Sequence, residues 1–212
     1  MMKHKKIWTI VTNVLIVIVM VVAVAFFVMN AITAPIIVDG QSMMPTLQNL
    51  DYGKMNISRT KRKHIARFDI VIFEDETGKT GENSILIKRV IGLPEETIFI
   101  DPVLGELKVN DKVVNQTFLD DETLRLTCSS YTTTHLACGK SYKVPKNSYY
   151  VLGDNRNHST DSEHGLGPID KASIHGVLWY INATCASIEI KEKNGEKQYV
   201  CSGKKSKKIQ FF

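Results

Sequence analysis

Three stretches of this chain carry residue types suited to nucleophilic chemistry. The first is Gly40-Gln41-Ser42-Met43-Met44-Pro45-Thr46. A glycine two residues before Ser42 and a proline three after it, which restricts Met44, suit a tight exposed turn that presents a hydroxyl. A hydroxyl of this kind becomes a nucleophile when a neighbouring base takes its proton. The second stretch, Ser84-Ile85-Leu86-Ile87-Lys88-Arg89-Val90-Ile91, contains such a base. Strand alternation puts Leu86, Lys88 and Val90 on one face and Ile85, Ile87, Arg89 and Ile91 on the other. An ammonium between apolar neighbours is poorly solvated, and burial lowers a lysine pKa by up to about 3 to 5 units from its reference near 10.4. Lys88 would then be a usable base near neutral pH. The third stretch, 153–167, sets Asp154, Asn155, Arg156, Asn157, Ser159, Asp161 and Ser162 between two apolar strands. Side chains of these types hydrogen-bond nearby backbone and one another, fixing a loop without a core. Each stretch also has a plainer reading: a membrane-to-domain linker, an edge-strand lysine facing water, and a simple polar turn.

The elements that must position these residues begin with an anchor. Residues 7–29 hold no charge, and these 23 residues exceed the roughly 20 a helix needs to cross a bilayer core. A cleaved secretory signal has an apolar region of about 7 to 15 residues, shorter than this one. Lys3, Lys5 and Lys6 precede the run, and between it and Lys54 the only charges are the acidic Asp39 and Asp51. The positive-inside rule therefore puts residues 1–6 in the cytoplasm and everything from residue 30 outside. With 212 residues, 43% of them hydrophobic, there is room for one sizeable domain beyond the span. The net charge of +5 comes from those three lysines and from Lys204, Lys205, Lys207 and Lys208 in a basic tail at 204–212. The body between is slightly acidic, which gives nucleic-acid binding little support and leaves membrane lipid as the surface partner.

Past residue 30 no segment sustains a helical period. Strand-like runs at 36–38, 69–73, 84–91, 97–101, 106–109, 149–152, 175–181 and 187–191 alternate with turn signals such as Thr77-Gly78, Leu93-Pro94 and Lys193-Asn194-Gly195. The fold class is mostly β: a β ectodomain, 30–203, on one N-terminal transmembrane helix. Residues 112–147 break the strand rhythm with a Thr/Ser-rich section and read as an insertion or cap, or else as a long disordered loop. Cys128, Cys138, Cys185 and Cys201 all fall on the outward side, where disulfides are permitted. Four cysteines allow three pairings; the local ones, Cys128 with Cys138 and Cys185 with Cys201, are preferred, with zinc ligation as the rival reading.

Taken together, Ser42-Met43-x-Pro45-Thr46, the 67–71 stretch Arg67-Phe68-Asp69-Ile70-Val71, Lys88-Arg89-Val90-x-Gly92-x-Pro94 and Gly153-Asp154-Asn155-Arg156-x-x-Ser159-x-Asp161-Ser162 resemble the type I signal peptidases, in that family's order and over about residues 36–180. These are membrane-anchored serine endopeptidases with a serine-lysine dyad that remove signal peptides from exported preproteins. The resemblance implies that Ser42 is the nucleophile and Lys88 the general base, with no metal or cofactor needed. It implies that Ser159 orients the lysine, that Asp161 holds the region in place, and that the Ser42 N–H stabilises the oxyanion. Substrates would carry small residues one and three positions before the cut and would lie against Ile36, Val38, Asp39, Gly40 and Met43, adding a strand to a sheet edge near 36–39 or 69–73.

Four positions depart from the pattern. Gly40 stands where some members carry a serine that supplements the oxyanion hole, a feature shared with single-span Gram-positive forms. Glu95-Glu96 replaces the usual Gly-Asp after Pro94. Glu163 sits where an arginine is common, which leaves Arg89 or Arg156 as candidate partners for Asp161. Two readings of other kinds are a non-catalytic assembly factor that keeps the fold, for example for pili, and a sortase-like cysteine transpeptidase using Cys128 or Cys185.

Overall fold

In lipid an apolar run must satisfy its backbone within itself, and a helix does so. The computed structural model, which describes residues 2–61, 65–81, 84–128, 135–193 and 196–212, has such a helix, α1, at Met2–Ile32. Its stretch Ile10–Ile32 is 23 residues long and apolar enough to cross a bilayer. Pro35, which cannot continue a helix, follows closely. Met1–Ala34 forms one compact unit and Pro35–Phe212 the other.

The second unit is built on one large sheet. Its strands are β1 (Thr33–Ile37), β2 (Asp51–Asn56), β3 (Ile70–Glu74), β4 (Ile85–Gly92), β9 (Ser148–Leu152), β10 (Ile169–Asp170) and β11 (Ile174–Thr184). They run in the order β1-β2-β11-β3-β4-β9-β10. A smaller sheet, β7-β6-β5-β8, uses Lys112–Val114, Leu107–Val109, Thr97–Ile100 and Tyr142–Lys143. β12 (Ser187–Lys193) and β13 (Glu196–Ser202) make a separate hairpin.

The centre of the large sheet is covered on both faces, which is why Ile70-Val71-Ile72-Phe73 is apolar throughout instead of alternating. Val71 and Phe73 join one core with Val90, Val151 and Val177. Ile70 and Ile72 join another with Ile36, Val38, Met43 and Leu47. A third core, Ile91, Ile98, Ile100, Leu107, Tyr150 and Leu152, lies between the two sheets.

Several expectations change. β3 lies between β11 and β4, so the 69–73 stretch offers no free edge to a substrate. β4 has β3 on one side and, from Arg89 onward, β9 on the other, and Lys88 is buried, so it is not an edge lysine facing water. β2 was missed because Asp51-Tyr52-Gly53-Lys54-Met55-Asn56 has no apolar run; pairing with β11 makes it a strand. The residues expected as a basic tail form β14 (Lys205–Phe211), which also pairs with β11. There Lys207 reaches the buried Asp51 at 2.7 Å and the Lys204 ammonium sits 3.5 Å from the centre of the Tyr52 ring. In the 112–147 region, β7 and β8 belong to the smaller sheet. A short helix, Asp121–Arg125, is capped by Asp120, and a 3-10 turn follows at Leu126–Cys128. Most of the Thr/Ser-rich section, 129–134, lies outside the described residues. Cys128 is joined to Cys138 and Cys185 to Cys201.

Candidate active site

The turn after β1 is held from below. Met43 and Leu47 are buried in the core, and a Leu47 N–H to Met43 carbonyl bond of 2.9 Å closes the turn between them. Gly40 has φ +103°, a conformation that strains any other residue. The buried Met43 and Leu47 hold the turn so that Ser42 sits half-buried at its tip.

Lys88 comes to it from β4. Its side chain is 3% exposed, and Nζ lies 2.8 Å from Ser42 Oγ and 3.0 Å from the Ile87 carbonyl. Burial lowers its pKa to about 8, against the pull of Asp161 and Asp154 in the other direction. An amine of that pKa is partly unprotonated near neutral pH and can take a hydroxyl proton.

The 153–167 loop locks against the same turn. The Ser42 carbonyl accepts from the Asn155 N–H at 3.0 Å, and the Asn155 side-chain amide donates to the Gln41 carbonyl at 3.1 Å. Gly153 is required at this contact, since a Cβ there would run into the Ser159 side chain and the Ser42 carbonyl. Asp161, fully buried, accepts the Gly153 N–H at 2.9 Å and the Glu163 and His164 N–H groups at 3.2 Å each. Ser162 accepts from the Val151 N–H and donates to the Gly167 carbonyl, tying the loop to β9.

The expected partners of Asp161 are engaged elsewhere. Arg89 grips Asp154 through Nε at 2.8 Å and a second nitrogen at 2.5 Å, and packs on the Phe118 ring. Arg156 donates to Gly153 O, Thr127 Oγ1 and Gln116 Oε1. The side chain beside Asp161 is instead that of His164, whose Nδ1 is 2.8 Å from Asp161 Oδ1. Burial opposes ionisation of Asp161, but hydrogen bonds and charge from His164, the Gly153 N–H and the Ser159 hydroxyl hold its carboxyl below the usual range. The Ser159 Oγ is buried with Asp161 as its polar neighbour, and among the described residues no hydrogen bond joins it to Lys88.

Other expectations are also redistributed. Ile36, Val38 and Met43 are buried in the core, because the end of β1 and its turn are what anchor Ser42; only Asp39 and Gly40 of the expected substrate contacts are exposed. Glu96 pairs with Arg67 at 2.5 Å and accepts the Leu93 N–H, so the altered turn after Pro94 has its own internal support. Cys128 and Cys185 are both oxidised, which removes the thiol that a cysteine transpeptidase needs. His135, Cys138 and Glu163 approach one another closely enough to suggest a metal site, but the Cys138 sulfur is in a disulfide and both Glu163 oxygens accept from protein donors.

Sequence comparison meets this geometry from the other side. The family model described as signal peptidase, peptidase S26, matches residues 11–181. The chain belongs to that family. Signal peptidase I S of Bacillus subtilis is 34% identical over 77% of this chain and 84% of its own length. Signal peptidase I V of the same organism is 40% identical over 74% and 90%. A crystal structure of a signal peptidase I from Enterococcus faecalis V583 aligns with 31% identity and a TM-score of 0.42, over 54% of this chain and 96% of that one. The family match ends at residue 181, so β12, β13 and β14 lie beyond it. Within a signal peptidase, His164 is the residue that sequence reasoning overlooked. Its one visible signal was its position, three residues after Asp161 and directly after the residue that departs from the family pattern.

The Arg89–Asp154 pair is almost wholly buried, at 7% and 0% side-chain exposure. Removing one partner strands a desolvated charge, so Asp154→Ala should lower stability by about 3 to 5 kcal/mol. Chemical denaturation of the purified protein measures this; a loss under 1 kcal/mol, roughly what an exposed pair is worth, would refute the account.

Proposed function

We infer that this signal peptidase cleaves through a Ser42–Lys88 dyad. The observation that carries the reading is the 2.8 Å contact between Ser42 Oγ and a buried Lys88 amine whose pKa is about 8. When the amine is neutral the contact reverses its polarity, the serine hydroxyl donating to the nitrogen. Ser42 Oγ then attacks the scissile carbonyl carbon as its proton passes to Lys88, and the Ser42 N–H steadies the oxyanion. Lys88 returns the proton to the departing amine as the C–N bond breaks, leaving an acyl ester on Ser42. Water, deprotonated by the same amine, attacks the ester, and Ser42 regains its proton as the carboxylate leaves.

The substrates are exported preproteins, and an extended segment of one has a place to pair. β4 pairs with β3 from Ile85 to Arg89, whereas its pairing with β9 starts only at Arg89, leaving one edge open just ahead of Lys88. Strand addition there sets alternate substrate side chains toward the protein. The α1 helix serves as membrane anchor, and Lys3, Lys5 and Lys6 favour a cytoplasmic N-terminus with the Pro35–Phe212 unit outside.

Four outcomes follow. Below about pH 8 Lys88 is mostly ammonium and only its neutral fraction can accept a proton, so kcat/KM should rise with pH through that value and level off above it. Lys88→Ala and Ser42→Ala should each cost about 10²- to 10⁴-fold in kcat. Lys88→Arg should be equally inactive, because guanidinium stays protonated. A Lys88→Arg enzyme near wild-type activity would remove the dyad. Peptides with alanine one and three positions before the cut should be cleaved, and equal turnover with Phe or Lys there would rule out the expected specificity. Protease added to intact cells should degrade the large unit; digestion confined to the N-terminal tip would reverse the topology.

A further inference from the structure

His164 is nearly buried, and each ring nitrogen faces an acceptor. Nδ1 lies 2.8 Å from Asp161 Oδ1 and Nε2 lies 3.0 Å from the Thr127 carbonyl. A neutral imidazole has one N–H and one lone pair, so either tautomer would aim a lone pair at an oxygen. Asp161 is not the proton's alternative home, because three backbone N–H groups already donate to its carboxylate. Only the imidazolium satisfies both contacts.

We propose that His164 is the cation this chain sets against Asp161, a positioning residue that acts on Lys88 through that carboxylate. Asp161 is a charge that favours the protonated form of Lys88. Left alone, it would hold the proposed base in its inactive state. An imidazolium bonded to it cancels much of that field while leaving the carboxylate free to hold the Gly153 N–H. Burial opposes the charge on His164, yet the hydrogen bond and attraction of Asp161, the Thr127 carbonyl and Glu163 raise its pKa above the ordinary value. The other groups around it are His135, whose ring packs edge-on at 6.1 Å, and Arg156, which shares Thr127 with it. His135 is occupied with Glu163. Because Thr127 directly precedes Cys128, the Cys128–Cys138 bridge fixes the far end of this contact.

The inference rests on the dyad reading for one of its two readouts only. The first is the imidazole ring of His164, followed by NMR in the full chain in detergent micelles with labelled histidine, and the His164→Gln variant assigns the signal. The ring should remain an imidazolium at pH 7, where an unperturbed histidine, with pKa near 6.5, is mostly neutral. This measurement involves no turnover, so it stands or falls apart from Ser42 and Lys88. The second readout is the pH profile. In His164→Gln the acid limb of kcat/KM should move to higher pH by about half a unit or more, as one charge near Lys88 is lost. kcat at pH 7 should fall several-fold with KM little changed. A residue with a merely structural role would lower activity without moving the limb. A neutral His164 at pH 7 overturns the proposal, as does an unmoved limb in a folded His164→Gln enzyme.

Discussion

A lysine that is to act as a base must be kept out of water and out of reach of uncompensated carboxylates. Desolvation does the first here, since the Lys88 side chain is almost wholly enclosed within an interior strand. The second is harder, because the loop that positions Ser42 is itself fixed by Asp154 and Asp161, both fully buried. Each of these anions favours the ammonium. Each therefore has a cation of its own: Asp154 has Arg89, and Asp161 has His164. The buried charges beneath the turn are thus one arrangement with two duties, holding the loop by hydrogen bonds and keeping its field away from the amine. Buried ions are costly, and pairing of this completeness is what makes them tolerable.

The same constraint explains the fold around the site. Two segments far apart in the chain, the turn at Ser42 and the loop at 153–167, must meet with no core of their own between them. The contact is made to the backbone of the turn: the Asn155 N–H donates to the Ser42 carbonyl and the Asn155 side-chain amide to the Gln41 carbonyl, with Gly153 leaving space for the Ser42 carbonyl. Met43 and Leu47 on one side and β9 on the other bring the two segments to fixed heights, so small adjustments in either are transmitted to the gap between Ser42 and Lys88.

Much of this was legible in the sequence where local chemistry decides the outcome. The glycine and proline around Ser42, the apolar flanks of Lys88 and the dense polar loop each point to their observed setting, and the apolar run at β3 identifies a strand covered on both faces. What was not legible depends on partners distant in the chain. β2 and β14 have too little apolar character to declare themselves, and become strands only because β11 is long enough to pair with both. Ile36, Val38 and Met43 looked available to substrate because their position beside Ser42 was visible while the core beneath them was not. Spacing offered Arg89 and Arg156 for Asp161 and could not point to His164, since only the fold sends the arginines elsewhere.

Glu163 ties these threads together. A carboxylate placed where the family pattern favours an arginine would, by itself, add a third buried anion close to the base. It is instead absorbed by the inserted region: the Ala137 and Cys138 N–H groups donate to it, His135 faces it at 3.1 Å, and the Tyr150 hydroxyl completes its shell. Both amide donors lie at the segment closed by Cys138, and the opposite end of that bridge, through Thr127, meets His164 and Arg156. The departure from the pattern and the disulfide-closed cap are therefore one structural solution. Without the cap the glutamate has too few donors; without the glutamate the 135–138 segment of the cap loses the carboxylate that ties its amides to the loop that holds Ser42.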